Sequence, residues 1–468
     1  MNHRLARAET YSSGSIGPAW LRWLGPLPGR REAHALALPA LVVGVVLCAA
    51  SVMLGFHGRT FMGRPLGGDF VEFYTVGQIC NHYPAARIYD VRLADELQHA
   101  TLRAMPASQM LIFGQAPFVA WFFRPFALLP YAWAYMGWLV FSASVYICAL
   151  ALLFRTVQLK TADRKTGFLL ALSSTPFLFE TWIGGQMSVV ALAVWALFFW
   201  CMEKDWGFAA GLLLSLCFFK PTLVALPALI LIAGRKWRVL GGLASGAGLL
   251  GVVSVATVGM DGCRAWFADL ALDGKVASQN VDARHLAKNL DLVSFLHLIL
   301  PGARAAVVSS IAAAVAVAAV GWLGWAWWQK RPASRRCFQS ERLLWAATLC
   351  LTLVISPYAP IYDAVLLVAA AALVVAEMGA AASAGWLTAL YVIPWISSSF
   401  AEFLHVQMLT LVAAGFAIWA LGVSRKRGER LENTNVRASR HRQEESTMTS
   451  NLEPGVTGRF QVRSRGLP

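Results

Sequence analysis

Apolar runs of about 17–25 residues recur along most of the chain, and nothing else in the sequence constrains its fold so tightly. Each is long enough to cross a hydrocarbon core about 30 Å thick. Lipid offers no hydrogen-bond partner to an open backbone, so such runs must be helical. The expected fold is an all-α polytopic membrane protein with about 12 transmembrane helices. The spans fall near 35–54, 131–154, 166–182, 186–202, 207–220, 221–234, 238–260, 305–328, 342–356, 362–377, 384–399 and 404–423. Composition agrees, since 57% of the 468 residues are hydrophobic and only 14% are charged.

Basic residues orient these spans. Lys and Arg concentrate in cytoplasmic loops. With the N-terminus inside, the inner loops are 155–165, 235–238 and 330–342. They carry Arg155, Lys160, Arg164 and Lys165; Arg235, Lys236 and Arg238; and Lys330, Arg331, Arg335, Arg336 and Arg342. The outer turns near Gly184 and Tyr358 have no basic residue. Residues 1–34 form a cytoplasmic leader, and the first apolar run is long enough to remain as an anchor rather than be cleaved. Two long segments, about 55–130 and 261–304, lie outside, within a multispan domain covering 35–423. The first contains short amphipathic pieces around 71–81 and 94–104. Its apolar stretch 115–130 reads as an interfacial helix, because Arg124 in its middle is costly in lipid. Residues 424–468 are rich in Arg, Ser, Thr and Glu, the composition of a disordered cytoplasmic tail.

Part of the net charge of +15 sits in that tail and most of the rest in short loops, which marks topology and not nucleic-acid binding. The chain carries no HExxH, DxD, paired-cysteine cluster or P-loop, so neither a metal nor another cofactor is expected, nor ATP-driven transport. Eight cysteines are scattered, most of them inside apolar runs; Cys80 and Cys263 fall in outer segments, where a disulfide is conceivable.

Polar motifs collect on the outer side. Gly67-Gly68-Asp69 allows a tight turn into a helix. Asp69 reads either as its N-cap or as a carboxylate held at the lipid surface to deprotonate an acceptor hydroxyl. Glu72 lies one helical turn on, and Tyr74 follows. Further along, Tyr89 and Asp90 enter another short helix, for which Asp90 is most simply the cap. Gln186, after Gly184-Gly185, is placed either to bind a sugar hydroxyl or to finish a helix end. Lys220, before Pro221, interrupts a long apolar run and must either snorkel or pair with an anion such as a lipid phosphate. Arg284, His285 and Lys288 share a helical spacing that suits a phosphate or a solvated face. Ser356-Pro357-Tyr358 and Tyr362-Asp363 mark one outer turn; its tyrosines suit an interface, while Asp363 needs a partner.

Taken in order, these motifs resemble glycosyltransferase family 87, the polyprenyl-phosphate-mannose-dependent type with a multispan GT-C-like fold. The resemblance rests on Gly68-Asp69-Phe70, Tyr74, Tyr89-Asp90, the string Pro125-Phe126-Ala127-Leu128-Leu129-Pro130, Gly185-Gln186, Lys220-Pro221, Ser356-Pro357-Tyr358 and Tyr362-Asp363. It departs from the family where Gly114-Gln115-Ala116-Pro117 stands in place of Tyr-Pro-Pro. The resemblance implies a membrane hexosyltransferase of the plasma (inner) membrane. Its donor would be a polyprenyl-phosphate sugar and its acceptor a lipid or glycan of the envelope. Asp69 would serve as base, while Lys220, with Arg284 or His285, would hold the donor phosphate on the extracytoplasmic side. Two other classes compete. A lipid-linked sugar flippase or secondary transporter would place charges deep in its spans and often repeat its halves. A non-catalytic envelope scaffold would tolerate Asp69→Asn.

Overall fold

The computed structural model describes residues 30–53, 65–102, 110–279, 283–330 and 337–450. The described residues form helices and turns, with one isolated bridge between Asn289 and Pro360 in place of any strand. The helices are α1 (Arg30–Met53), α2 (Phe70–His82), α3 (Val91–Thr101), α4 (Phe118–Phe123), α5 (Tyr131–Thr156), α6 (Thr161–Leu172), α7 (Ser188–Glu203), α8 (Gly207–Leu214) and α9 (Thr222–Ala233). They continue with α10 (Trp237–Gln279), α11 (Ala283–Leu286), α12 (Leu292–Ile299), α13 (Ala305–Trp328), α14 (Cys337–Val354), α15 (Leu367–Met378), α16 (Ala384–Leu404) and α17 (Met408–Ser450).

By length and composition, seven helices among the described residues can cross a membrane: α1, α5, α10, α13, Ile361–Met378, α16 and α17. The other five expected spans are shorter, broken or interrupted by charge. α7, Gly207–Phe219 and α9 have 16, 13 and 12 residues. α14 carries Glu341 and Arg342 in its first half. The run 166–182 divides into α6 and a wide turn at Pro176–Trp182, because Pro176 cannot continue α6.

The described parts of the first long segment, 65–102 and 110–130, are folded. α2 and α3 occur where amphipathic pieces were expected. The stretch around Arg124 is two short turns, α4 and Phe126–Leu128, broken at Arg124 and Pro125. Arg124 is well provided for: its Nε donates to Asn81 Oδ1 at 3.0 Å, Asn81 Nδ2 donates to its carbonyl at 3.0 Å, and its guanidinium stacks 4.7 Å from the Trp121 ring. An aromatic cluster fastens this segment to the bundle. Phe70, fully buried, packs on Trp138 at 5.9 Å and on Tyr135 at 5.7 Å, while Phe73 stacks on Phe123 at 4.7 Å. Apolar rings of this size dominate core energetics.

α7, α9 and α14 give the bundle two distinct ends. At one end lie the basic loops. There Lys236 Nζ pairs with Glu341 at 2.6 Å, Gln339 Nε2 donates to Glu203 at 3.1 Å, Lys330 Nζ donates to the Ser340 carbonyl at 2.7 Å, and Arg235 lies 3.7 Å from the Trp328 ring centre. The opposite ends of the same three helices begin or finish at Ser188, Thr222 and Val354. α8 and α10 touch backbone to backbone: a methyl group on Gly211 or Gly242 would collide with the Val239 or Phe208 carbonyl. α10 bends at Gly259, whose φ of 71° no branched residue adopts readily, and its second half crosses to the first outer segment, where Trp266 Nε1 donates to the Gly114 carbonyl at 3.3 Å.

The chain divides into two units, Met1–Leu421 and Gly422–Pro468. α17 extends through Ser450, into the stretch whose composition points to disorder. Arg425 and Glu429 pair at 3.0 Å with the i, i+4 spacing that supports a helix.

Candidate active site

The site is built where two glycine turns meet. Gly67 and Gly68 have φ of 87° and 54°, and Gly185 has φ of 75°. These left-handed conformations are cheap only for glycine. They bring the backbones into contact: Asp69 N donates to the Gly184 carbonyl at 2.9 Å, and a methyl on Gly68 would stand 2.7 Å from that oxygen. Asp69 sits at the head of α2 without making a side-chain cap. Its carboxylate instead accepts a short hydrogen bond from Gln186 Nε2. Asp69 stays half-buried, whereas Gln186 is buried and Glu72, one turn along α2, is 8% exposed.

A second group of side chains comes from the breaks at Lys220 and Tyr358. Lys220 leaves the turn Ser215–Phe219 in an extended conformation, with φ of −133°, and Pro221 starts α9. Its ammonium makes a short ion pair with Asp363, which is 2% exposed, and Asp363 also accepts a hydrogen bond of 2.9 Å from Ser188 Oγ. The same ammonium lies 5.5 Å from the Tyr358 ring and 4.9 Å from the Tyr362 ring. Cation–π attraction and one carboxylate thus hold a nearly desolvated lysine in place. Tyr358 is set by a local turn in which Ser356 Oγ donates to the Tyr358 carbonyl at 2.9 Å. Burial, and after it the charges of Asp69, Asp363, Glu72 and Asp291, push the Tyr358 hydroxyl well above the ordinary tyrosine range. The two groups are joined through the start of α7, where Gln186 holds Asp69 and Ser188 holds Asp363.

The segment 285–291 closes over this turn. Leu290 N donates to the Ala359 carbonyl at 2.7 Å and Ile361 N donates to the Lys288 carbonyl at 2.8 Å. His285 lies nearly parallel to Tyr358, at 13° and 6.5 Å between ring centres. Asp291 caps α12 through Ser294 N at 2.8 Å and also accepts from Ala359 N at 3.3 Å. Burial pushes its carboxyl up to about 6. Lys288 is exposed, and the side chain of Arg284 lies outside the described residues.

Asp69, Glu72, Gln186, Lys220, His285, Tyr358 and Asp363 thus converge. Three other expected residues are engaged elsewhere. Tyr74 donates to the Leu129 carbonyl at 2.9 Å and packs edge-on against Tyr131 at 5.1 Å. Tyr89 donates to the Gln115 carbonyl at 2.7 Å. Asp90 caps α3 through Leu93 N at 3.2 Å and pairs with Arg87 at 2.7 Å, which holds its carboxyl below the usual range. Asp363 has Lys220 and Ser188 as its partners. Sequence reasoning missed Ser188 and gave Asp291 no role. Ser188 follows Gln186 by two positions at the start of α7, and Asp291 precedes an apolar helix in the manner of a cap. Cys80 and Cys263 are separate thiols, and burial pushes Cys80 up to about 11. Among the described residues no group of three or more His, Cys, Asp or Glu side chains is placed to hold a metal ion.

An all-helical bundle with several helices fit to cross a bilayer, and with polar side chains gathered at one end, is the architecture of a multi-pass membrane protein. The glycosyltransferase family 87 profile matches residues 115–357, just over half of the chain, and the chain belongs to that family. It is thus a membrane glycosyltransferase, with a sugar donor and an acceptor as its partners. No curated protein and no solved structure matches it significantly.

Proposed function

We propose that this chain moves a hexose, mannose first among them, from a polyprenyl-phosphate donor to an envelope lipid or glycan, with Asp69 as general base. One observation carries the reading: a half-buried carboxylate oriented by Gln186 and a lysine oriented by Asp363 are joined by the start of α7, where Ser188, two residues after Gln186, donates to Asp363. Transfer from a lipid phosphate needs both. The acceptor oxygen attacks the anomeric carbon as its proton passes to Asp69. The bond from that carbon to the phosphate oxygen breaks, and the lipid phosphate leaves with the electron pair. A fixed ammonium stabilises the charge developing there. Lys220 has three donors, spends one on Asp363, and directs the others at the leaving phosphate. His285 flanks the same turn and adds a donor for that phosphate. Anomeric inversion is the expected outcome of this single displacement.

The same reading sets the topology. The five shorter pieces complete about 12 crossings together with the seven long apolar helices. The end rich in Lys and Arg, around Lys236 and Lys330, is cytoplasmic together with both termini. The site end then opens on the outer face of the plasma membrane, where a lipid-borne donor supplies activated sugar without a nucleotide.

The test uses purified protein in lipid, radiolabelled polyprenyl-phosphate mannose and an envelope lipid extract as acceptor pool, with Asp69→Asn alongside. Label entering a new product with the parent alone supports both the transferase and its base. Transfer that persists in the variant removes Asp69 from that role. Label that crosses sealed vesicles without entering product replaces the transferase reading with a flippase.

A further inference from the structure

Two of the bonds that hold the segment 285–291 in place come from helices that contribute no residue to the site. α16 and α17 lie beyond the family match at 115–357. Their connection turns at His405, whose φ is 56°, and delivers Gln407 against the segment 285–291. Gln407 is fully buried, and its Nε2 donates to the Ala287 carbonyl at 2.6 Å. Its other end is fixed as well: Oε1 accepts a short bond from Ser397 Oγ, and Ser397 Oγ accepts from Leu409 N at 3.0 Å. One turn further, Thr410 Oγ1 donates to the Leu290 carbonyl at 2.9 Å. Ala287, Leu290, Ser397 and Thr410 are all 2% exposed or less, so water cannot replace these bonds.

The tethered carbonyls belong to a segment that works on both sides. One side faces Gln407 and Thr410. The other pairs with the turn that carries Tyr358, Tyr362 and Asp363, through Leu290 N to Ala359 and Ile361 N to Lys288. His285, at the start of the segment, lies parallel to Tyr358. We propose that Gln407 and Thr410 are positioning residues: through the backbone of 285–291 they set His285 and the Tyr358–Asp363 turn for transfer. The catalytic part of this claim rests on the reading of the cleft given above; the mechanical part does not.

Two readouts on the full chain in lipid separate the parts. Gln407→Leu, Thr410→Val and the conservative Thr410→Ser are compared with the parent by amide hydrogen exchange and by transfer from radiolabelled polyprenyl-phosphate mannose. The first two variants should exchange faster in peptides covering 286–291 and 359–363, with α7, α9 and α14 unchanged. Their turnover should fall by up to about a hundredfold, with the donor KM moved less than about threefold, as for a misplaced reacting group. Thr410→Ser keeps the hydroxyl and should match the parent. Unchanged exchange in both peptides overturns the proposal. So does a general loss of protection with normal specific activity in the folded fraction, since that marks a merely structural role. Faster local exchange in a protein whose parent transfers no label keeps the mechanical link and sinks the transferase reading instead.

Discussion

Removing the Lys220 ammonium would leave Asp363 as a carboxylate that is only 2% exposed, with Ser188 as its remaining hydrogen-bond partner. Lys220 itself is 12% exposed, so neither charge is well solvated by water when its partner is lost. Breaking one side of such a pair costs about 3–5 kcal/mol. Lys220→Met and Asp363→Leu should each destabilise the protein by that order. The double variant replaces both charges by apolar groups of similar length and should lie within about 1 kcal/mol of the parent. Reversible unfolding in mixed detergent and dodecyl sulfate micelles, followed by tryptophan fluorescence, measures all four corners of the cycle. Transfer activity should behave differently. On the proposed mechanism Lys220→Met and the double variant should be inactive, because the leaving phosphate loses its fixed ammonium, and Asp363→Leu should be impaired because that ammonium loses its anchor. Two single losses that add within about 0.5 kcal/mol would show that the groups do not interact and would refute the reasoning. An active double variant would refute the role assigned to Lys220.

Gly185→Ala forces a φ of 75° on an L-residue and sets its methyl 2.7 Å from Phe70 Cβ. It should cost about 1–2 kcal/mol in stability and lower turnover by about a hundredfold as Asp69 shifts away from Gln186; a variant of normal turnover argues against the meeting of turns as the device that aims Asp69. Burial raises Asp291 to about 6, so this carboxyl binds its proton more tightly in the folded than in the unfolded chain. Its contribution is therefore most favourable below the ordinary carboxylate pKa and is lost as pH rises through about 6. Relative to Asp291→Asn, the parent should gain about 3 kcal/mol of unfolding free energy between pH 7.5 and pH 4, and a flat difference across that range counts against the burial effect.

What the sequence revealed depended on how far each signal reached along the chain. The glycine turns and Gln186 were legible because each motif is local, and Asp90 was legible as a cap for the same reason. Lys220 and Asp363 posed two separate problems, a cation without an anion and an acid without a partner. They solve each other across 143 positions, which no pattern within either helix reveals. Ser188 and Gln407 look like ordinary polar residues in apolar surroundings until the fold brings their partners. Hydrophobic runs marked where helices lie but concealed their breaks. Pro176 was the local clue to one of them, whereas the short bounds of α7 and α9 follow from the site at their ends.

The brevity of α9 has a consequence for the lipid around it. Twelve residues rise about 18 Å, far less than a hydrocarbon core of about 30 Å. The seven longer helices suit a bilayer of full thickness, so the membrane must pinch or admit water where Lys220 ends α9's side of the cleft. On the proposed mechanism acyl-chain length then becomes a control on turnover: in vesicles of very long-chain lipids the mismatch grows, and a lipid phosphate should reach the Lys220 ammonium less readily.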